Sequence, residues 1–161
     1  MYYCYMKSPV GVLMLVGDES GLRHIDFQEG PHAATPEPDW QEDVSRFRKV
    51  VAQLKEYFAG ERQSFDLELA PEGTSFQQKV WHALRKIPYG STWSYSQLAE
   101  RVGNPKAARA VGAANGQNPL PIVVPCHRVI GANGALTGFG GGLGIKRKLL
   151  ELESRERSLL S

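Results

Sequence analysis

The chain has 161 residues, of which 42% are hydrophobic and 22% are charged, and its formal net charge is +2. This composition supports a packed core rather than disorder, and no apolar run reaches the ~18 residues that a membrane span needs. The first residues lack the basic and apolar segments of a secretory leader, so we expect a soluble, cytoplasmic protein with no membrane partner.

The N-terminal part of the chain predicts a small α/β domain. Short apolar runs separated by Gly and Pro are typical of strands. A proline-rich loop over 30–38 is followed by helical spacing of apolar residues over 42–58, and Gly60 should end that helix. Strands are predicted over 3–6, 12–16, 22–27 and 65–69.

The segment 71–73, Pro-Glu-Gly, separates two halves of opposite charge. Residues 1–75 carry 7 Lys/Arg and 13 Asp/Glu, a net charge of −6, whereas residues 76–161 carry 12 Lys/Arg and 4 Asp/Glu, a net charge of +8. Because a basic surface attracts polyanions, we expect nucleic acid to contact the C-terminal half. We predict domains over 1–73 and 74–161, with no catalytic pattern visible in the first.

Two capping boxes, at 74–77 and 94–97, predict the starts of two helices in the second domain. The second of these helices should end at Gly103. Asn104 should then cap a third helix that has Pro105 in its first turn. Two short helices joined by a Gly-Asn-Pro turn resemble a helix-turn-helix.

The third predicted helix, over 106–114, consists almost entirely of small residues, with Lys106 and Arg109 interspersed. Small side chains allow a close approach either to another helix or to the floor of a DNA groove. In the second case Arg109 is the long side chain able to reach the base stack. Composition alone leaves both interpretations open and favours helix packing.

Cys126 follows an apolar run that ends at Pro125, and His127 and Arg128 come directly after it. A cysteine nucleophile reacts as the thiolate, which a nearby base and positive charge favour. A lone cysteine, however, is more often a buried structural residue. Adjacency proves little, because consecutive side chains of an extended segment point in opposite directions. These residues alone leave both interpretations open.

The Asn-Gly pair at 133–134 predicts a two-residue hairpin that folds 135–137 back against 128–130. This pairing would bring the glycine-rich segment 138–142 alongside Cys126. A glycine-rich loop beside a nucleophile offers backbone N–H donors and room for a flat ligand. We therefore predict a pocket at this position, followed by a last helix over about 144–152.

The chain has two cysteines, Cys4 and Cys126, and four histidines. Two cysteines are too few for a disulfide framework, and their spacing with the histidines is not typical of zinc ligands. We therefore expect neither a metal nor a cofactor.

The motif Pro-Cys-His-Arg-Val at 125–129 resembles the signature of the O6-alkylguanine-DNA alkyltransferase family. The resemblance runs from about 74 to 153, through the Asn-Pro-Lys-Ala-Ala-Arg segment at 104–109, and is looser before residue 74. It implies an α+β protein with an N-terminal ribonuclease-H-like α/β domain. A mainly helical, winged helix-turn-helix-like C-terminal domain would follow and carry the active site.

The resemblance also implies a suicidal DNA-repair reaction. The family flips O6-alkylguanine out of duplex DNA from the minor groove and transfers the alkyl group irreversibly to a cysteine, here Cys126. Each molecule would act once, as a monomer, without a cofactor. Repair of O4-alkylthymine and cooperative binding along double-stranded DNA are left open.

The roles of the family's residues carry over to matching positions. Glu153 would orient His127, which would deprotonate Cys126 through a water, so that the sulfur sits ionised at the bottom of a cavity. Asn118 would tie the reactive segment to the recognition helix, and Tyr95 would rotate the target phosphate and could donate a proton to the guanine. DNA would be bound by Tyr95, Lys106, Ala107, Arg109 and Ala110, and the pocket would be lined by Pro121, Val129, Phe139 and Gly140.

The sequence departs from the family pattern in two respects, and two functions other than alkyl transfer remain as alternatives. Gly140 stands where some members have a serine, so a backbone N–H would have to serve at the guanine oxygen and the pocket would be roomier. Cys4 is the only cysteine of the N-terminal half, so the zinc site of some members is expected to be absent. The other functions are a lesion-binding module with an inert thiol and a hydrolase that uses Cys126 and His127.

Overall fold

The structure is a computed structural model that describes residues 1–136 and 139–160, with side chains described through residue 154. A four-stranded sheet in the order β3-β2-β1-β4 forms its N-terminal part. The first three strands are antiparallel neighbours, and β4 pairs with β1 in parallel. The strands are β1 (Tyr2–Met6), β2 (Leu13–Asp18), β3 (Gly21–Phe27) and β4 (Gln41–Glu42).

The first helix, α1 (Arg48–Phe58), begins later than the apolar spacing predicts. Residues 41 and 42 pair with β1 as β4 instead, because they supply hydrogen bonds to the edge of the sheet. Asp43 then caps a single 3-10 turn, Val44–Phe47, that precedes the helix. Gly60, with a φ of +78°, lies just beyond its end as predicted.

The predicted strand over 65–69 is wrong, apart from one bridge between Leu69 and Leu22. The Gln53 side chain donates to Asp66 O and accepts from Asp66 N, both at 3.0 Å. The Gln53 side chain therefore satisfies the backbone N–H and C=O of Asp66, which a neighbouring strand would otherwise bind.

Four helices follow in the C-terminal part, and both capping boxes are confirmed by reciprocal hydrogen bonds. A left-handed Gly103 ends the second of the four. The third begins after Ala107, whose N–H donates to Asn104 O at 3.0 Å, so Asn104 closes a turn rather than capping the helix. The last extends well past residue 152. The helices are α2 (Ser75–Leu84), α3 (Tyr95–Val102), α4 (Ala108–Gly116) and α5 (Leu143–Leu160).

The hairpin predicted at 133–134 does not form among the described residues. β6 (Val129–Ile130) pairs in parallel with β5 (Trp93–Ser94), and at the predicted turn Gly131 N donates to Ala135 O at 2.9 Å. The Asn133 side chain accepts from Ala135 N at 3.1 Å and makes a local turn. Thr137 and Gly138, which belong to the predicted return strand and the glycine-rich segment, lie outside the described residues.

One core of buried side chains runs through both parts of the fold, as in Leu54 of α1, Leu84 of α2 and Leu149 of α5. The Trp81 indole donates to Ala114 O at 2.9 Å and fixes α2 against α4. The mixed α+β prediction is confirmed. No helix in the described part of the chain is both long enough and apolar enough to cross a membrane.

Candidate functional site

A cavity of about 400 Å³ lies between the N-terminal sheet and the segment that carries Cys126. Residues of β2 and β3 and of the loop before β4 form one wall, among them Ile25, Phe27 and Trp40. The N-terminal half, which shows no catalytic pattern in its sequence, thus builds half of the site. The wall that carries the thiol includes Asn115, Asn118, Pro121, Cys126, Phe139 and Gly140.

The backbone before the nucleophile bends sharply twice. Val123 N donates to Pro121 O at 2.9 Å around Ile122, whose φ of +75° is rare for a β-branched residue. Cys126 N donates to Val124 O at 2.8 Å. These two bends turn Cys126 toward the cavity and leave the side chain of Ile122 in the core.

The Asn118 side chain forms hydrogen bonds with two backbone groups of the segment that precedes Cys126. It donates to Val124 O at 2.8 Å and accepts from Leu120 N at 3.0 Å. Asn118 N also donates to Asn115 O of α4 at 3.4 Å, and the Asn115 amide donates to Cys126 O at 3.4 Å, so both residues link this segment to α4. Asn115 was not singled out in the sequence, because an Asn near a helix end is more often a capping residue.

The Cys126 thiol is only 5% exposed, although it lines the cavity. Burial raises its pKa to about 11, and the Asn118 hydrogen bond and the Lys146 charge offset only part of that effect. Near pH 7 a thiol with this pKa is neutral, so the expected ionised sulfur would form only when its proton is removed. A base must remove the proton before the sulfur can attack.

His127 and Glu153 form a buried pair with 2.7 Å between Nε2 and Oε2. Burial by itself would raise the pKa of Glu153, but the hydrogen bonds and charges of His127 and Arg128 outweigh it and hold that pKa at about 2. An ionised carboxylate only accepts, so Nε2 carries the proton. Burial lowers the pKa of His127, so the imidazole is neutral and Nδ1 holds the basic lone pair. In the described part of the chain Nδ1 has no hydrogen-bond partner.

Arg128 and Tyr57 complete the surroundings of Glu153, and neither role is visible in the sequence. The guanidinium binds the carboxylate at 2.8 and 3.0 Å and donates to Ile87 O at 2.7 Å. The Tyr57 hydroxyl donates to Oε2 at 2.6 Å. A sequence pattern cannot relate residues that lie this far apart in the chain.

Val129 does not line the cavity as predicted. Its side chain is fully buried, and its carbonyl accepts from Lys146 Nζ at 2.6 Å. Lys146 is itself fully buried, and its charge lowers the pKa of the Cys126 thiol against the larger effect of burial.

Helix α4 presents two different faces. Val111 and Ala114 are buried, whereas Arg109, Ala110 and Ala113 are exposed. The helix therefore packs through one face and offers a shallow, small-residue surface on the other. That surface ends at Gly116, which lines the cavity.

The other predicted DNA-binding residues surround the start of α4. Lys106 is exposed and Ala107 half-buried in the turn before it. Tyr95 lies in the first turn of α3 with its ring against Gly112, where an added Cβ would be 3.4 Å from the ring. Tyr95 is not among the described residues that line the cavity.

No group of three or more His, Cys, Asp or Glu side chains that could hold a metal ion is found over residues 1–136 and 139–160.

Two family models together match nearly the whole chain. The ribonuclease-like domain of 6-O-methylguanine DNA methyltransferase matches residues 1–71, and its DNA binding domain matches residues 75–155. The chain is 54% identical over 153 residues to the methylated-DNA–protein-cysteine methyltransferase of Methanosarcina acetivorans, covering 95% of the chain and 98% of that relative. The relative of the same name from Haemophilus influenzae is 49% identical over 154 residues, covering 95% and 86%.

The fold is also similar to a solved structure, that of Mycobacterium tuberculosis OGT in complex with DNA. The TM-score is 0.90 at 51% identity, and the match covers 97% of this chain and 94% of that one. The likeness therefore extends over both parts of the fold.

Proposed function

The chain belongs to the 6-O-methylguanine DNA methyltransferase family, and from this premise we propose that it takes the alkyl group of O6-alkylguanine in duplex DNA onto Cys126, once per molecule. It is a methylated-DNA–protein-cysteine S-methyltransferase that repairs DNA by alkyl transfer. The observation that carries the proposal is a thiol on the wall of a cavity, on the residue that precedes the buried His127–Glu153 pair in the chain. We assign the ribonuclease-like domain to 1–73 and the DNA-binding domain to 74–161, and expect a monomer.

The damaged nucleotide has to leave the base stack to reach this thiol. A sulfur that is 5% exposed inside a cavity cannot touch a base within a duplex. The exposed small residues of α4 suit a close approach to the minor groove, and Arg109 is the long side chain that would fill the vacated place in the stack. Tyr95 would turn the target phosphate outward. The cavity would then receive the base.

His127 acts as the base in the proposed reaction. With its pKa raised to about 11 by burial, the thiol is neutral at pH 7 and needs a base. Nδ1 of His127 takes the thiol proton through a water, and Glu153 stabilises the imidazolium that forms. Removal of the proton lowers the barrier to attack because the thiolate is a far stronger nucleophile than the thiol.

The sulfur then attacks the alkyl carbon in line with the carbon–oxygen bond. A sulfur–carbon bond forms, and the carbon–O6 bond breaks with its electron pair passing to the guanine. A proton from Tyr95 or from water is taken up by the leaving base, so the net transfer is one alkyl group to sulfur and one proton to guanine. Gly140 supplies a backbone N–H near O6 in place of a serine hydroxyl.

The product is a thioether, which is a poor leaving group. Cys4 is buried in β1 and is not among the described residues that line the cavity, so no second thiol stands ready to accept the alkyl group. Each molecule therefore acts once.

The proposal is tested by mixing the protein with a duplex that contains O6-methylguanine and following intact mass and peptide mapping. We expect one methyl group per molecule, located on Cys126. Cys126→Ala should abolish transfer and keep DNA binding, whereas the matched control Cys4→Ala should transfer normally. Unmodified protein that binds the lesion would indicate a binding module, and repeated product release would indicate a hydrolase.

A further inference from the structure

Tyr57 belongs to α1 of the N-terminal half, yet its hydroxyl reaches the carboxylate behind the nucleophile. The side chain is fully buried, and the hydroxyl donates to Glu153 Oε2 at 2.6 Å across 96 residues of sequence. The same oxygen is 2.7 Å from His127 Nε2. The Tyr57 hydroxyl and His127, the base of the proposed reaction, therefore contact the same carboxylate oxygen.

Glu153 receives more donors than its lone pairs ordinarily accommodate. Oε2 accepts from Tyr57, His127 and Arg128, and Oε1 accepts from Arg128 and, at 3.4 Å, from Gly90 N. A carboxylate offers about four acceptor sites. Each donor takes part of the negative charge, so each reduces the pull of the carboxylate on the Nε2 proton.

The ring of Tyr57 is held in place from several sides. Its centroid lies 5.6 Å from that of Phe65, 5.2 Å from that of Phe58 and 6.3 Å from that of Tyr89. A ring locked in this way directs its hydroxyl to one point, and a fixed hydroxyl fixes the oxygen to which it donates.

We propose that Tyr57 is a positioning residue of the alkyl transfer, supplied by the N-terminal half, which holds Glu153 Oε2 on His127 and limits the basicity of that carboxylate. The inference rests on the proposed function. It gives the ribonuclease-like domain a part in the chemistry, beyond its share of the core and of the cavity wall.

The direction of the effect follows from the hydrogen bonds. Without the Tyr57 hydroxyl, Glu153 Oε2 is a stronger acceptor, and the imidazole of His127 becomes more basic because its imidazolium form is better stabilised. The acid limb of the pH–rate profile then moves to higher pH. The carboxylate is also less firmly placed, so the maximal rate falls. The titratable and charged groups that act on the pair are Tyr57, Arg128 and Lys146, while Tyr89 acts on Tyr57, and Lys146 acts on Cys126 as well.

The test compares Tyr57→Phe with the matched control Tyr2→Phe, which removes an exposed hydroxyl that donates to Glu19 at 3.2 Å. Single-turnover methyl transfer is measured at saturating duplex across the pH range, with DNA affinity measured separately. We expect Tyr57→Phe to lower the maximal rate about 10-fold, to raise the midpoint of the acid limb, and to leave DNA affinity unchanged. Tyr2→Phe should match the wild type.

An unchanged midpoint, with a rate that falls only as the folded fraction falls, would overturn the inference. A wild-type protein that fails to transfer would instead overturn the proposed function.

A second variant decides the matter if Tyr57→Phe does not fold. Placing 3-fluorotyrosine at position 57 keeps the ring and the hydroxyl but makes the hydroxyl a stronger donor. The midpoint should then move to lower pH, opposite to the shift from Tyr57→Phe, and the low-field proton resonance of His127 Nε2 should move with it. If neither changes, Tyr57 serves packing alone and the inference fails.

Discussion

Glu153 collects its hydrogen bonds from Tyr57, Gly90, His127 and Arg128, which come from three separate places along the chain. Against the burial that would raise it, His127 and Arg128 hold its pKa at about 2, below the value of 4.5 for a free carboxyl. A carboxyl with a lowered pKa stabilises the fold fully above its unfolded pKa, and this contribution is lost as the pH falls toward the folded value.

Glu153→Gln should therefore remove part of the acid sensitivity of the fold. The depression from 4.5 to about 2 corresponds to about 3 kcal/mol of unfolding free energy, lost by the wild type between about pH 5 and pH 2. Urea unfolding at a series of pH values checks this. Glu72→Gln, which changes a carboxylate that is 84% exposed, is the control and should keep the wild-type slope. A Glu153→Gln profile parallel to that of the wild type would contradict the assignment.

The roles of residues that are adjacent in the sequence could be predicted. The roles of residues that only folding brings together could not. Cys126 and His127 form a visible pattern, and Glu153 could be named only through the family resemblance. Tyr57 and Asn115 could not be found, because their roles depend on contacts that the chain makes only when folded. The neutral thiol was also missed, since burial sets its pKa.

Helix α4 shows how one element combines packing with an exposed working surface. Val111 and Ala114 face the core while Ala110 and Ala113 face outward. Gly112, between the two faces, has the ring of Tyr95 against it. The size of the side chain at position 112 therefore controls where Tyr95 lies.

Substitutions of Gly112 should separate these effects. A Cβ at this position would meet the Tyr95 ring at 3.4 Å, an ordinary contact, so Gly112→Ala should be tolerated and should stabilise the helix by up to about 1 kcal/mol. Gly112→Leu would displace the ring, and a misplaced group can lower a rate by about 10²-fold. Urea unfolding and single-turnover transfer measure the two quantities. Wild-type transfer by Gly112→Leu would exclude a role for the position of Tyr95.

Sequence patterns confined to a few residues predicted the starts of helices correctly. The start of a helix or strand that depends on pairing with a distant segment was not predicted. The two capping boxes are local and both are present. The start of α1 was wrong because residues 41 and 42 pair with β1, and the pairing of β6 with β5, which lies far before it in the chain, was not predicted. The periodicity of a segment carries no information about such partners.

At the scale of the whole molecule the charge is divided between the halves, −6 over residues 1–75 and +8 over residues 76–161. The exposed residues Lys106 and Arg109 lie on the basic half, beside the small-residue surface of α4. Binding to a polyanion should therefore depend on salt, and the two residues should contribute in different ways.

Lys106→Ala should reduce the slope of log K against log salt by about 1, as expected for the loss of one phosphate contact. Arg109→Ala should change that slope little but slow the transfer from O6-methylguanine, because its proposed place is in the base stack. Lys55→Ala, an exposed change on α1, is the control. Fluorescence anisotropy with unmodified duplex at several salt concentrations gives the slopes. Equal slopes for all three variants would contradict the proposed orientation on DNA.

The wall of the cavity opposite the thiol includes His32, Ala34 and Trp40, which belong to the irregular connection between β3 and β4. Surface connections accept substitutions and insertions more readily than helices or strands. The groups that perform the reaction are carried by other parts of the chain. Substitutions in this connection should therefore change the size of lesion that the cavity admits without moving Cys126 or α4.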